Sequence, residues 1–446
     1  MSSLRAAIGA AAALCALLAC GAAAPAVQRT AQSAATVTLA VPAANDAAPF
    51  DTPRSVTLPA GWRGEVWARV PGARYALWTP SRTMLVAAAS TGQIVELVPG
   101  TDPAAPPAQR VLASGLTEPQ GMAFDTLPDK QLVLYVAESD QIDRYVWKGP
   151  NALGARTILV SNLPDQSPNG DDVHRLKGIA IGKNHTIYVT AGSSYNANPA
   201  DLSMSPPRAA VYSYNAQGKD MHVVATGVRN GEGLAIAPDG SLWTAVNERD
   251  QIAYPYHRAY GGNSDAYGKV IQSYVDENPP DEIARLTPGR NLGWPYCNPS
   301  ADVQPGNPAA GQNFNRSYFV PDEQNNPGGT KLDCAKLTPI DRPIPAHSAP
   351  LSITFLESSN LPARWRGGAV VGVHGSWDRE PPRAPAVLWL PWNAKAHTLE
   401  QPTTLVGGFQ LPGGQRWGRP VDAVPGPDGD LYVTDDQAGA IYRLVP

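Results

Sequence analysis

The segment GLAIAPDGSLWTAV, residues 233–246, decides the fold class of this chain. Apolar residues alternate with small or polar ones on both sides of a Pro-Asp-Gly turn, and this period of two predicts a pair of short antiparallel strands. The same order recurs as GIAIGKNHTIYVTA at 178–191 and as VDAVPGPDGDLYVTDD at 421–436. A hairpin pattern that recurs along the sequence indicates a repeat architecture.

Six such units extend from residue 75 to residue 444. Gly121 and Gly178, which open two of them, are 57 residues apart, and Gly233 follows Gly178 after 55 residues. We therefore predict an all-β protein, a six-bladed β-propeller over residues 55–446. The segment SVTLPAGWRGEVWARV, residues 55–70, precedes the first unit and is expected to add an outer strand to the last one, which closes the ring.

Two stretches interrupt the repeat, residues 250–280 and 295–345. Both are long, polar and rich in Pro, Asn and Gly, and loops of this length in a compact domain usually have a function. Cys297 and Cys334 lie in the second stretch and are expected to form a disulfide in an oxidising compartment.

The N-terminus predicts export. Residues 1–24 have one basic residue, Arg5, an apolar run and then small residues, which is the layout of a secretory signal. The residues before Cys20 resemble a lipoprotein processing site with cleavage before that cysteine, and cleavage after Ala24 is the alternative. Residues 25–54, rich in Ala and Pro, are predicted to be a flexible tether. We expect a periplasmic protein or an outer-membrane-anchored lipoprotein, in contact with a membrane only through that anchor.

Charge and motif content narrow the chemistry. The formal net charge is −4, and no basic run offers a surface for nucleic acid. The chain has no Gly-x-Ser-x-Gly, no His-Glu-x-x-His, no Cys-x-x-Cys-His and no phosphate-binding loop. Redox chemistry therefore requires a bound organic cofactor and an external electron acceptor.

Polar side chains stand just before the first strand of five units, where a propeller gathers them at the mouth of its channel. The residues at these positions are Gln120, His174, Arg229, Asn230, His347 and Arg419. Two arginines and an asparagine indicate a planar ligand with carboxylates. Trp294 and Trp377 either stack on a sugar or pack between blades.

Several motifs resemble those of the glucose/sorbosone dehydrogenase family, from about residue 60 to the C-terminus. They are HRLKGIAI, GVRNGEGLAIAPDG, NLGWP, AHSAPLSITF and GSWDR. This resemblance implies a six-bladed propeller that uses pyrroloquinoline quinone (PQQ) and Ca²⁺. It further implies oxidation of an aldose or a related aldehyde, with electrons passed to a cytochrome or a quinone.

The same resemblance implies roles for individual residues. His174 is the expected general base, which takes the proton of the sugar C1 hydroxyl as hydride passes to the quinone. Arg229 is expected beside the quinone oxygen, where it stabilises negative charge. The residues expected to contact cofactor or substrate are Gln120, Asn230, His347, Arg379 and Arg419. Calcium is expected at Glu248 and Arg249, held largely by backbone carbonyls.

Two other functions stay open from the sequence. One is a calcium-dependent lactonase, which needs a metal but no quinone. The other is a non-catalytic propeller that binds glycans or protein partners through its long loops. A requirement for added quinone would distinguish the dehydrogenase from both alternatives, because neither the lactonase nor the non-catalytic propeller needs one.

Overall fold

The structure, a computed structural model, describes residues 33–102, 105–165 and 173–446. The predicted signal sequence with Cys20 lies outside the described residues, as does the predicted tether up to residue 32. No helix in the described part of the chain has the length and apolar character of a membrane span.

Almost all regular structure is β, in six sheets of a propeller, which confirms the predicted fold class. Before the first blade come β1 (Ala34–Thr38), β2 (Ser55–Pro59) and β3 (Arg63–Arg69). Blade 1 contains β4 (Ala73–Trp78), β5 (Met84–Ala88), β6 (Gln93–Val98) and β7 (Ala108–Ser114). Blade 2 contains β8 (Met122–Thr126), β9 (Leu132–Ala137), β10 (Ile142–Trp147) and β11 (Leu153–Val160). Blade 3 contains β12 (Ile179–Ile181), β13 (Ile187–Ala191), β14 (Ala210–Tyr214) and β15 (His222–Thr226).

Blade 4 contains the largest insertions. Its first strands are β16 (Gly233–Ile236) and β17 (Leu242–Val246), followed by the helix α1 (Gln272–Val275) and β18 (Asp281–Leu286). Then come β19 (Arg290–Asn291), which extends blade 3, the paired β20 (Cys297–Ser300) and β21 (Tyr318–Pro321), and β22 (Arg342–Ile344), which completes blade 4. Blade 5 contains β23 (Thr354–Phe355), β24 (Gly368–Val373), β25 (Ala386–Asn393), β26 (Thr398–Leu399) and β27 (Thr403–Val406). Blade 6 contains β28 (Pro420–Pro425), β29 (Leu431–Asp435) and β30 (Ala440–Val445).

The inner strands form a ring around the channel. β4, β8, β12, β16, β23 and β28 contact one another in this order, and β28 contacts β4. The glycine that opens several units has a steric cause at this ring. A Cβ on Gly121 would lie 2.8 Å from Lys177 O of the next blade, and one on Gly178 would clash with Glu232 O. The glycine recurs in the sequence because the backbones of neighbouring blades come too close at the channel to leave room for a Cβ.

The predicted closure of the ring is confirmed. β3 pairs antiparallel with β30, from Arg63 opposite Val445 to Arg69 opposite Ala440. Blade 6 therefore takes its outer strand from the N-terminal side of the domain, and the buried side chain of Val66 joins the core of that blade. This pairing covers the edge that β30 would otherwise expose.

The predicted tether is wrong for its C-terminal part. β1 pairs with β2 along its whole length, from Ala34 opposite Pro59 to Thr38 opposite Ser55. Leu39 and Phe50 are buried in the hydrophobic core. Composition suggested a tether because these residues are mostly small, but a few apolar side chains and a strand partner are enough to order them. The described fold begins at Ala34, not at residue 55.

The second predicted loop, residues 295–345, is partly ordered by a strand pair and a disulfide. Cys297 and Cys334 are bonded, as predicted, with their Cα atoms 5.7 Å apart. The end of this stretch is not loop, because Arg342–Ile344 supplies the outer strand of blade 4. That strand satisfies the backbone groups of Asp281–Ile283, which would otherwise form an open edge.

Candidate active site

Polar side chains gather at one end of the channel, where inner strands begin and second strands end. A cavity of about 430 Å³ lies there, lined among others by Arg74, Glu118, His374, Arg419 and Asp436. A larger cavity of about 750 Å³ is lined by residues of blades 3 and 4 and by none of the predicted site residues. We place the site at the smaller cavity because the charged groups converge on it.

Arg74, at the start of β4, is the centre of the network beneath this cavity. Its Nε donates to Gln120 Oε1 at 2.8 Å and its Nη1 to Asp436 Oδ2 at 2.8 Å, and its Nη2 forms an ion pair with Glu232. All of these groups are buried or nearly so. The carboxylates of Glu232 and Asp436 thus fix the guanidinium in one orientation.

Arg419 lines the cavity and forms no ion pair with a carboxylate of the described residues, although Asp436 and Asp435 are near enough to attract its charge. It donates from Nε to His374 O at 2.9 Å, and no carboxylate of the described residues lies within ion-pair distance of it. Burial, together with the neighbouring Arg416, lowers the pKa of Arg419 to about 10. An anionic ligand would offset both effects.

His374, which follows β24, is a neutral donor beside Arg419. Burial lowers its pKa to about 4, and its Nε2 lies 2.9 Å from Asp436 Oδ1. Burial opposes ionisation of Asp436, but the hydrogen bonds from His374 and Arg74 and the charge of Arg74 hold the pKa of this carboxyl well below its usual range. The contact is therefore an N–H donated by neutral His374 to an ionised carboxylate.

His174, which precedes β12, is buried and contacts Ser193. Its Nδ1 lies 2.9 Å from Ser193 Oγ and 3.1 Å from Ser193 O. The Ser193 hydroxyl donates to Tyr195 O, and a carbonyl only accepts, so Nδ1 bears the hydrogen and Nε2 the lone pair. Burial lowers the pKa of His174 well below 6.5, and the charge of Arg229 adds to this effect. The imidazole is therefore neutral and has the tautomer of a base at Nε2.

Arg229 lies next to His174, but the protein uses all of its hydrogen-bond donors. The acceptors are Asn196 O at 3.2 Å, Asn196 Oδ1 at 2.9 Å, Asn247 O at 3.0 Å, Glu248 O at 2.7 Å and Asp250 Oδ2 at 3.1 Å. These contacts account for every N–H of a guanidinium group. The expected direct contact of Arg229 with a quinone oxygen is therefore corrected, and its charge acts through space.

Asn230 joins the two groups of residues. Its Nδ2 donates to Glu232 Oε1 at 3.2 Å, and Glu232 in turn pairs with Arg74. Asn230 Oδ1 and Gln120 Nε2 are buried without a hydrogen-bond partner among the described residues. A buried unpaired acceptor and donor in one site indicate room for a polar ligand or water.

Oxygen and nitrogen ligands for a cation meet beside Arg229. One ligand atom from each of Asp250, His347 and Asp378 lies within 4.8 Å of the others, and all three residues are buried. The His347 Nε2 lies 2.6 Å from Val275 O and therefore donates to it, which leaves Nδ1 facing Asp250 Oδ1 at 3.5 Å. Metal-binding histidines commonly donate their second N–H to a carbonyl in this way. The two carboxylates also suit calcium.

The residues predicted to mark the metal, Glu248 and Arg249, have other partners. Glu248 O accepts a hydrogen bond from the cationic Arg229 at 2.7 Å, which makes this carbonyl a poor cation ligand. The Arg249 guanidinium forms an ion pair with Asp322. The candidate cation site is therefore better placed at the adjacent Asp250, where Oδ2 accepts from Arg229 but Oδ1 faces His347.

Arg379, predicted to bind cofactor, braces two loops instead. Its guanidinium donates to Asp276 O at 3.1 Å, Pro381 O at 2.6 Å and Glu277 Oε1 at 2.6 Å. It does not line the cavity at Arg74 and Arg419. Proximity in sequence to the GSWDR motif suggested a contact that these partners prevent.

Comparison with known protein families shows that residues 57–445 match the model of the TrAA12-like family. The chain belongs to the TrAA12-like family. This match confirms the resemblance that the sequence motifs indicated. A curated relative from Borreliella burgdorferi, described as an uncharacterized protein, is 27% identical over 281 residues. That alignment covers 62% of this TrAA12-like chain and 62% of the relative's own length.

Solved structures share the fold of this TrAA12-like chain. The holo form of the PQQ domain of pyranose dehydrogenase from Coprinopsis cinerea is 18% identical, with a TM-score of 0.68 over 88% of this chain and 97% of that one. A calcium structure of a family AA12 protein from Trichoderma reesei is 17% identical, with a TM-score of 0.69 over 87% and 96%. A PQQ-bound aldose sugar dehydrogenase from Streptomyces coelicolor is 16% identical, with a TM-score of 0.51 over 87% and 99%.

Sequence reasoning missed several residues of the TrAA12-like site, although a signal existed for most of them. Arg74 stands before the apolar strand of the first unit, the position used to select residues in the other units. Asp436 and His374 follow the second strands of blades 6 and 5, and a second strand returns to the end where the first one begins. The residue after each second strand is therefore as informative as the residue before each first strand.

Proposed function

We propose that this TrAA12-like protein is a PQQ-dependent dehydrogenase that oxidises an aldose or a related aldehyde. The observation that carries the proposal is Arg419, a guanidinium with no ion pair to any carboxylate in the described part of the chain, at a cavity that Arg74 also lines. PQQ is a flat molecule with several carboxylates, which guanidinium groups bind bidentately. The unpaired Gln120 Nε2 and Asn230 Oδ1 fit its other polar atoms. The names of the pyranose and aldose dehydrogenases with this fold support the same cofactor.

Bound PQQ would supply the hydride acceptor for C1 of the sugar, and an external acceptor, a cytochrome or a quinone, would take the two electrons. Arg419 would hold a carboxylate of the cofactor and supply positive charge to the cavity, whereas Arg74, paired with Glu232 and Asp436, would shape the floor of the site. The carboxylates of Asp250 and Asp378 would hold calcium, because this ion takes oxygen ligands.

In this proposal His174 is the general base. Its Nε2 has the lone pair and accepts the proton of the C1 hydroxyl, so the sugar loses a proton and a hydride together. Ser193 fixes the imidazole, and Arg229 and Arg208 keep it neutral through their charge. Arg229 acts as a positioning residue, because its donors hold Asn196 and Asp250 in place.

Dye reduction by the protein loaded with PQQ and calcium tests this function over a panel of aldoses and aldehydes. His174→Ala should lower kcat by about 100-fold or more while PQQ still binds, as measured by its absorption. Arg419→Ala should weaken PQQ binding at least about tenfold because a charge-assisted contact is lost. Arg316→Ala, at an exposed arginine, is the matched control.

Two results would contradict the proposal. Sugar-dependent or lactone-dependent activity without added quinone would favour the lactonase. PQQ binding by Arg419→Ala as tight as by the wild type would remove the basis of the cofactor assignment.

We also propose that the protein is exported, anchored by lipid on Cys20 or released after Ala24. The layout of residues 1–24 and the disulfide between Cys297 and Cys334 support export, because such bonds persist in oxidising compartments. The mass of the mature N-terminal peptide distinguishes the two processing sites, and an unprocessed N-terminus in an exporting host would contradict both.

A further inference from the structure

Trp377 differs from every other tryptophan of the chain. All eleven lie in the described residues, and Trp377 alone is exposed, with 69% of its surface accessible. Nine of the others pack against aromatic rings, and Trp294 is buried and donates from Nε1 to Asn196 O at 2.9 Å. Packing between blades therefore explains Trp294 but not Trp377.

The backbone around Trp377 is held on both sides. Ser376 donates from its N–H to Arg383 O at 3.2 Å and accepts from Arg383 N at its Oγ at 2.7 Å. Asp378 accepts from Gln251 N at 2.9 Å. The indole is thus presented from a fixed position, which lowers the entropic cost of binding a ligand against it.

A second exposed aromatic residue lies near the same centre. Tyr195 is 53% exposed and precedes Asn196, which exchanges two hydrogen bonds with the backbone of Asp250. Trp377 precedes Asp378, which has a carboxylate oxygen within 4.8 Å of one of Asp250. Each exposed aromatic residue is thus next in sequence to a residue that lies close to Asp250, Asn196 by two hydrogen bonds and Asp378 by its carboxylate, and the two belong to different blades.

We propose that Trp377 and Tyr195 bind a pyranose unit of the substrate next to the one that is oxidised, so that the preferred substrate is a disaccharide or a longer sugar. This inference rests on the proposed dehydrogenase function. The reacting C1 must reach the buried His174, whereas the two rings stand in solvent at the rim. A single sugar ring at His174 leaves the rim aromatics unused, and a second ring linked to it extends toward them.

The chemistry of the two rings suits a sugar. The faces of a pyranose carry C–H bonds with partial positive charge, and these stack on the negative face of an aromatic ring. The tyrosine also offers a hydroxyl for hydrogen bonding. Rigid aromatic side chains of this kind bind at small entropic cost and tolerate several sugar epimers. Stacking should therefore raise the affinity for longer sugars more than it raises the selectivity for one particular sugar.

Steady-state kinetics with glucose and with cellobiose or maltose tests the proposal in the PQQ-loaded protein. Trp377→Ala should raise KM for the disaccharide about tenfold, leave kcat unchanged and change KM for glucose less than about twofold. Trp377→Phe should restore most of the loss because it keeps an aromatic face. Ile158→Ala, which removes an exposed apolar side chain from the outer strand of blade 2, is the matched control and should change neither KM.

Tryptophan fluorescence of the quinone-free protein gives a second readout. Because Trp377 is the exposed indole, disaccharide binding should shift the emission to shorter wavelength in the wild type and not in Trp377→Ala. If no sugar is oxidised but this shift occurs, the dehydrogenase proposal fails and the sugar site stands. An unchanged disaccharide KM in Trp377→Ala, or a shift that persists in that variant, would overturn the sugar site.

Discussion

Replacing Glu282 by glutamine tests whether the buried acids of blade 4 make the free energy of unfolding depend on pH. Glu282 lies on β18 and Glu248 follows β17, and the two buried side chains face each other. Three of their four carboxylate oxygens, both of Glu282 and Oε1 of Glu248, lack a hydrogen-bond partner among the described residues. Burial raises the pKa of Glu248 from 4.5 to about 8, with Arg229 opposing and Asp281 adding to the rise. Burial and the charge of Glu248 raise the pKa of Glu282 well above 4.5, against the effect of Arg290. The pair therefore holds a proton at neutral pH.

The sign and size of the effect follow from proton linkage. Between pH 4.5 and about pH 8 the folded protein keeps a proton that the unfolded chain has released, so stability falls as pH rises. Each pH unit in this window lowers the free energy of unfolding by about 1.4 kcal/mol, or about 2 kcal/mol from pH 6.5 to pH 8. For a domain of this size that loss lowers Tm by about 2 °C. The buried acids Asp281, Asp422 and Asp435, with pKa values near 6, ionise mostly below this interval.

Differential scanning calorimetry at pH 6.5 and pH 8 measures this loss. Glu282→Gln keeps the size of the side chain and removes one of the two acids whose pKa burial raises, so Tm should fall less than in the wild type over the same interval. Burial still raises the pKa of Glu248, so part of the loss should remain. Glu138, whose pKa burial raises to about 7, contributes equally to both proteins and cancels in the comparison. Glu357→Gln, at an exposed glutamate, should behave as the wild type. A variant that loses as much Tm as the wild type would refute the shared proton.

Two further predictions concern what holds the propeller together. Replacing Cys297 and Cys334 by serine opens a loop of 37 residues and should lower the free energy of unfolding by about 2–4 kcal/mol in denaturant titrations, and an unchanged midpoint would contradict a stabilising role. Val66→Asp places an unpaired charge in the fully buried core face of β3 and should destabilise the domain by about 3 kcal/mol or more. Arg63→Asp at the exposed end of the same strand should cost less than about 1 kcal/mol, and equal losses would show that ring closure does not depend on this strand.

The sequence was most informative about the fold where one local pattern was repeated. The alternation in residues 233–246 reappears as β16 and β17, and the N-terminal segment closes blade 6 as predicted. It was least informative where structure depends on a distant partner. The strand Ala34–Thr38 exists because Ser55–Pro59 pairs with it, and Arg342–Ile344 exists as a strand because β18 offers an edge.

At the site, the position of a residue in the repeat predicted where its side chain lies better than it predicted what that side chain does. His174, Arg229, Asn230, Gln120 and Arg419 all lie in the linked network at the channel mouth. The roles of Arg229 and Arg379 depended on which acceptors lie around each guanidinium, and no local pattern contains that information.

By itself, the sequence determined that this chain is a closed ring of six β-blades with polar residues at one end, because period-two alternation and the spacing of glycines are local properties repeated six times. Only the tertiary structure decided which charges are paired. Arg74 is neutralised by carboxylates more than 150 residues away, Arg419 is not, and the carboxylates for a cation come from blades 4 and 5. Coulombic interactions and burial depend on distance in space, which a linear order of residues does not specify.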